Sequence, residues 1–285
     1  MNGGDETLRL GAVAYDPKVV TIWDGFTQYF AQHGLAFDYV LYTSYEAQVL
    51  AQLAGHCHVA WNSPLAWVQT ERLAKARGRR AAAIAMRDSD RDLTSIVLVR
   101  SGSPIQKVSD LAGRRVAVGA ADSPQATLIP LLHLAENGIE PGRDIEVVHH
   151  DVLSGKHGDH IGGERDAVRA LAAGAVDAAC VLDGNQLLFA REGTIAGDAL
   201  RVLTQTGVYD HCNFTILDDA PQKPVARFRE LLLGMSYANA AVRPLLDLEG
   251  LKQWTDGRVS GYAALERAVD RFGYLDSWLA TVEAR

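Results

Sequence analysis

Histidine, cysteine and acidic residues gather at four places in this chain: His56-Cys57-His58, His149-His150, His157-Gly158-Asp159-His160 and Asp210-His211-Cys212. Cysteine and histidine in such company suit zinc. The spacing within each run argues against it. His56 and His58 share one face of an extended segment while Cys57 points to the other. His157 and His160 stand three apart, which suits a helix, but Gly158 and the glycines that follow read as a loop. The expectation is therefore no metal and no cofactor. Cys212 beside His211 has the composition of an activated nucleophile. Neighbours in a strand point apart, so direct activation is not expected. In an enzyme, Glu164, Asp183, Asp210 and His211 would be the acid/base groups. No Gly-x-Ser-x-Gly, Walker or dinucleotide glycine pattern is present.

Composition narrows the classes. The chain has 285 residues, 48% hydrophobic and 22% charged, the balance of an ordinary globular protein with material for a core and for about two domains. A net charge of −7 without a basic run makes nucleic acid an unsuited partner. No stretch approaches the ~20 apolar residues that span a bilayer. Cys57, Cys180 and Cys212 are odd in number and far apart, which fits a reducing compartment or buried small side chains. The segment Met1–Thr7 is polar and acidic, with no basic or apolar leader region. The expectation is a cytoplasmic protein if that start is native, and a periplasmic one if a signal was removed.

The elements that must position these residues alternate. Strands are expected at 8–15, 37–42, 59–61, 81–86, 93–100, 116–119, 145–149, 178–182, 202–204 and 214–216. Helices are expected at 18–33, 45–54, 65–76, 124–137, 164–173, 185–191, 224–240, 244–254 and 262–282. Such alternation predicts α/β layers with mostly parallel sheets. The pattern restarts after Ser101-Gly102-Ser103-Pro104, which suggests two such domains. Asp151–Gly163, rich in Gly, His and Asp, reads as a mobile loop.

Several segments in order resemble one family. Trp61-Asn62-Ser63-Pro64-Leu65-Ala66-Trp67-Val68 stands where that family has a strand-end Gly-Pro…Tyr-Val motif. Lys107-Val108-Ser109-Asp110-Leu111-Ala112-Gly113-Arg114 is similar to its Ser-Leu-x-Asp-Leu-x-Gly-Lys entry to a second lobe. Gly174-Ala175-Val176-Asp177-Ala178-Ala179 is similar to its Gly-x-Val-Asp-Ala-Ala strand, and Leu246–Leu251 with Gly261-Tyr262 fit too. The chain thus resembles the phosphate/phosphonate-type substrate-binding proteins of ABC importers, over nearly its whole length. The resemblance implies the type II periplasmic-binding-protein fold, with a ligand cleft between two lobes. It implies lobe one at 1–100 plus 205–285 and lobe two at 101–204. The hinge would lie near 99–102 and 203–206, with lobe closure as the motion.

The resemblance also implies a site. The family's anion cradle is a Ser-Thr-Ser-Gly turn opening a lobe-two helix, and here the run is Ser123-Pro124-Gln125-Ala126 after Asp122. Proline removes an N–H donor, glutamine changes reach, and Asp122 adds negative charge. Tyr45 matches a cleft tyrosine. Asn62 and Ser63 sit at a strand-to-helix turn, equally suited to turn and cap roles. Thr94 and Ser95 keep two hydroxyls where the family has an aromatic and a serine. The family's phosphonate-binding histidine falls on Glu164, or, with a shifted register, on His157 or His160. Asp183 and Asp210 fall near the carboxylates that hold an amino group, and Trp61, Trp67 and Tyr209 offer faces for an ammonium. The resulting expectation is a monomeric solute-binding protein for a small polar molecule with a cationic or donor-rich end, partnered by an ABC permease if exported. The alternatives are a cytoplasmic enzyme on the same fold and a cytoplasmic ligand sensor.

Overall fold

The computed structural model describes residues 7–159 and 161–283. The expectations for Met1–Glu6 and for His160 lie outside them. The chain runs β1 (Leu8–Val13), α1 (Lys18–Gln32), β2 (Phe37–Tyr42), α2 (Tyr45–Leu53), β3 (Val59–Asn62), α3 (Pro64–Ala76) and β4 (Ala81–Arg87). It continues through β5 (Ser95–Arg100), β6 (Arg115–Val118), α4 (Ile129–Glu136), β7 (Glu146–His149), α5 (Gly162–Ala172), β8 (Ala178–Leu182), α6 (Asp183–Arg191) and β9 (Leu200–Gln205). The last elements are β10 (Asn213–Leu217), α7 (Gln222–Leu233), α8 (Arg243–Glu249), β11 (Trp254–Asp256), α9 (Ala263–Phe272) and α10 (Asp276–Glu283).

Two compact units result: residues up to Arg91 with Asp210–Tyr262, and Asp92–Tyr209 with the segment from Ala263 onward. These bounds differ from the expected 1–100 plus 205–285 and 101–204. The reason is pairing: β5 bonds to β8 and β9 in the second sheet, and α9 packs on α4.

The first unit holds a six-stranded sheet in the order β11-β4-β10-β3-β1-β2. Its core is aromatic. α1 buries Val19, Ile22, Trp23, Phe26 and Phe30, the face its helical spacing predicts, and Gly34 ends it with φ +75°. Phe214 of β10 lies against Trp61, Phe228 and Trp254 at ring separations of 4.6, 5.1 and 5.2 Å. The second unit holds a five-stranded sheet, β7-β6-β8-β5-β9. Alternation sorts its strands between two cores. Ile96, Leu98, Ala117, Ala179 and Val181 face α5, while Val97, Val99, Val116, Val118 and Cys180 face Leu131 and Leu134 of α4.

Both sheets are mixed rather than mostly parallel. β1, β2 and β3 run parallel, as do β6, β7 and β8, but β10 and β5 enter antiparallel to their neighbours. The expected helix over 244–254 stops at Glu249, where Gly250 takes φ +77°. Trp254–Asp256 then pairs with β4 as an edge strand, and the Trp254 ring is buried against the aromatic core. The 262–282 helix is broken at Gly273, with φ +58°. Residues 124–128 form a π-helical turn ahead of α4. No helix among the described residues is long and apolar enough to cross a membrane.

Replacing Phe214 with alanine should cost about 3–5 kcal/mol, the usual range for deleting a buried aromatic. Urea unfolding followed by circular dichroism checks this; a loss below about 1 kcal/mol would mean the aromatic cluster repacks.

Candidate functional site

In each unit the candidate residues gather at one edge of the sheet. In the first, the carboxyl ends of β1, β2 and β3 lie beside the start of β10, since Asn62 pairs with Asn213. In the second, the carboxyl ends of β6, β7 and β8 lie beside the start of β5 and the end of β9, since Ser95 pairs with Leu182 and Ile96 with Gln205. Helices begin at these edges, and their first N–H groups face the same way.

In the first unit most candidate polar groups are engaged by the protein itself. Asn62 is fully buried. It accepts from Gln48 Nε2 (2.8 Å) and donates to Thr215 Oγ1 (2.9 Å). The chain of bonds runs on from Thr215 to Asn213 (2.6 Å), Asn213 to Tyr262 (2.9 Å) and Tyr262 Oη to the His211 carbonyl (2.8 Å). Ser63 caps α3 by accepting from Ala66 N (3.1 Å), and Tyr45 is buried in the first turn of α2. Trp61 and Trp67 offer no open face. Arg87 lies over the Trp61 ring at 5.2 Å, and Trp67 stacks with Tyr262 at 5.9 Å.

The acidic groups of this unit are clamped by arginine. Asp210, 1% exposed, receives both Arg258 Nε and Nη2 at 2.6 Å. Asp90 receives Arg87 Nε at 2.5 Å and Nη2 at 2.8 Å. Burial works against charge on Asp90, but the Arg87 guanidinium and the bonds from His211 and Arg87 hold its carboxyl at about 2, below the ordinary 3.8. His211 Nδ1 lies 3.0 Å from Cys212 Sγ and 3.5 Å from Asp90 Oδ1. The expected separation of Cys212 from His211 is thus overturned. Both residues precede β10, so strand alternation does not apply to them. Asp90, His211 and Cys212 offer ligand atoms within 4.8 Å of one another, a metal-like spacing. Arg87, however, already donates to both Asp90 oxygens, and its positive charge beside them opposes a cation.

In the second unit the site centres on the turn after β6. Ser123, 1% exposed, caps the π-helical turn by accepting from Ala126 N (3.2 Å). Gln125 donates from Nε2 to the Gly158 carbonyl at 2.8 Å. Asp122 accepts at Oδ2 from Gly155 N (2.5 Å) and His157 N (3.3 Å), and Asp151 Oδ1 accepts from Ala121 N (2.7 Å). Segment 151–158, expected as a mobile loop, is laced onto the turn, and His157 is fully buried with φ +51°. Gly158 sits so close that a Cβ there would meet Ser123 Oγ at 2.2 Å.

Around the turn, Ser95 Oγ donates to the Gln125 carbonyl (2.5 Å) and bonds Tyr209 Oη (2.6 Å), so neither Ser95 nor the buried Tyr209 offers an open group. Glu164 is buried and accepts at Oε2 from Leu182 N (2.9 Å) and Asn185 Nδ2 (2.8 Å), tying α5 to the end of β8. Thr94, Asp183 and Gln205 form a more exposed cluster: Gln205 Nε2 donates to Thr94 Oγ1 (2.8 Å) and to Asp183 Oδ2 (3.3 Å). Sequence reasoning missed Gln205, Arg258 and the anchoring role of Asp122. Only Asp122 carried a signal, its place directly before Ser123.

Residues 12–262 match the family described as ABC transporter, phosphonate, periplasmic substrate-binding protein. No curated protein matches the chain in sequence. Among solved structures it is similar to PhnD1 from Prochlorococcus marinus in complex with methylphosphonate, at 17% identity over 95% of this chain and 99% of that one, TM-score 0.69. It is also similar to a binding protein component of an ABC phosphonate transporter from Pseudomonas aeruginosa, at 13% identity over 98% and 100%, TM-score 0.62. A third is the periplasmic aliphatic sulphonate binding protein SsuA from Escherichia coli, at 19% identity over 96% and 94%, TM-score 0.61. At these identities the likeness carries the two-lobed fold.

Two measurements check the geometry. Because the folded Asp90 pKa is about 2 against the ordinary 3.8, its contribution of about 2 kcal/mol is present above pH 4 and lost as pH falls from about 4 to 2. An Asp90→Asn variant should be less stable at pH 7 yet show a shallower loss over that window; equal slopes would refute the pairing. Gly158→Ala should loosen segment 151–158, raising its amide exchange at least about tenfold; unchanged protection would mean the contact with Ser123 relaxes freely.

Proposed function

This chain belongs to the family of phosphonate-type periplasmic substrate-binding proteins of ABC transporters, and we propose that it captures a small polar solute with a cationic or donor-rich end and delivers it unchanged to an ABC permease. The family is described as periplasmic, which supports a periplasmic site of work. The observation that carries the ligand class is the turn at Asp122–Gln125. Where the family resemblance implies hydroxyls and N–H groups around an oxyanion, this turn carries a carboxylate. Its Ser123 hydroxyl caps the chain, and its Gln125 donor is spent on Gly158. The exposed Asp183, with Thr94 and Gln205 beside it, adds a second negative group at the same sheet edge.

The enzyme reading draws no support from three of its four acid/base candidates. Glu164 and Asp210 are buried and held by strong donors, and His211 faces Cys212 and Asp90. A group that must exchange protons with a substrate needs reach to it. We take Thr94 and Asp183 as ligand-contacting residues, with Ser123 and Glu164 shaping the surface behind them. In the first unit, Tyr45, Asn62 and Ser63 serve to hold the strand ends.

Isothermal titration with ethanolamine, putrescine, inorganic phosphate and methylphosphonate tests the reading. An amine should bind, and both oxyanions should bind at least about a hundredfold more weakly; tight phosphate binding refutes it. Asp183→Asn should weaken the amine about tenfold, the worth of one charge-assisted contact.

A further inference from the structure

We propose that Asp122 sets the ligand charge that the second unit accepts: its carboxylate is a resident anion in the place of an oxyanion, and its remaining oxygen, with that of Gln125, takes a protonated primary amine. This rests on the amine reading above and assigns its selectivity to one residue.

Backbone N–H groups bunched at left-handed residues form concavities that attract anions. Gly155 has φ +84° and His157 φ +51°, and their N–H groups converge on Asp122 Oδ2. The concavity is therefore already filled by the protein's own carboxylate. Three other donors of the turn are spent as well: Gln125 Nε2 on the Gly158 carbonyl, Ala126 N on Ser123, Ala121 N on Asp151.

Two buried side-chain oxygens of the turn remain unmet. Asp122 Oδ1 and Gln125 Oε1 are buried and have no hydrogen-bond partner among the described residues, in residues 4% and 3% exposed. Both are acceptors, and one carries charge. A buried carboxylate oxygen without a donor is costly, by several times the worth of an ordinary hydrogen bond. Methylphosphonate or phosphate would set oxygen against oxygen here. A quaternary ammonium brings charge but no N–H. A primary ammonium brings both, with three donors for two acceptors. Segment 151–158 is bonded to the other polar atom of each of these side chains, and both unmet oxygens are buried, so an amine reaches them only as the packing around the turn loosens.

The test is isothermal titration of the full chain and of Asp122→Asn with ethanolamine, choline, inorganic phosphate and methylphosphonate. The asparagine keeps an oxygen for Gly155 and His157 and turns the other atom into a donor. The wild type should bind ethanolamine at least about tenfold more tightly than choline and show no oxyanion binding. The variant should lose about tenfold or more toward ethanolamine, ~1.4 kcal/mol, and gain methylphosphonate binding. If the variant keeps the wild-type pattern within about twofold, water satisfies the two oxygens and Asp122 does not select, while the amine reading stands. If the wild type prefers methylphosphonate, both fall; if ethanolamine does not bind it at all, the selection by Asp122 falls. Should Asp122→Asn not fold, Gln125→Met keeps the carboxylate and removes one acceptor: ethanolamine should weaken while methylphosphonate stays excluded, and admission of methylphosphonate there would overturn the assignment.

Discussion

The N–H groups at the opening of a helix have no partner within it, and this protein answers them with oxygen atoms of its own chain. Ser44, Ser63 and Ser123 each accept from the N–H three residues on. These serines stand at the carboxyl ends of strands, where a binding protein of this fold has the donors it can offer to a ligand. In the second unit the answer goes further. A whole segment, 151–158, is folded onto the turn, and Asp122 supplies the anion its N–H groups call for. Those N–H groups are thereby met within the chain, and Asp122 Oδ1 and Gln125 Oε1 are left buried without a partner among the described residues.

The same economy governs the acidic residues of the first unit. Asp90 and Asp210 are buried, and each is gripped through two oxygens by an arginine. Breaking such a pair strands a charge in a low-dielectric interior, at about 3–5 kcal/mol. Their geometry suits holding the strand ends β4 and β10 in register. Arg87 also covers the Trp61 ring and donates to the Glu249 carbonyl, so one side chain joins β4, the aromatic core and the end of α8. Departures from the family's anion cradle at Pro124 and Gln125 are tolerated because Pro suits a first helical turn and Ser123 still caps it.

Much of this was legible in the residues. β2 and β8 have the bounds read from the sequence, and α1 is within a residue of its expected end, because its single buried face leaves one period in the sequence. The ordered motifs from Trp61 to Tyr262 carried the family, and the fold came with it. Asp122 before Ser123 was readable as a charge in the wrong place for an anion. What the sequence could not carry was pairing between distant segments. Trp254 reads as helical until β4 is there to receive it, and the Asp151–Gly163 stretch reads as mobile until Asp122 and Gln125 bind its backbone. His211 and Cys212 point apart only if they lie in a strand, and the strand begins one residue later. Local pattern therefore determined the elements and the family. The tertiary structure alone decided which polar groups were spent on the chain and which were left over, since hydrogen bonds close across 30 or more residues and leave no period to read.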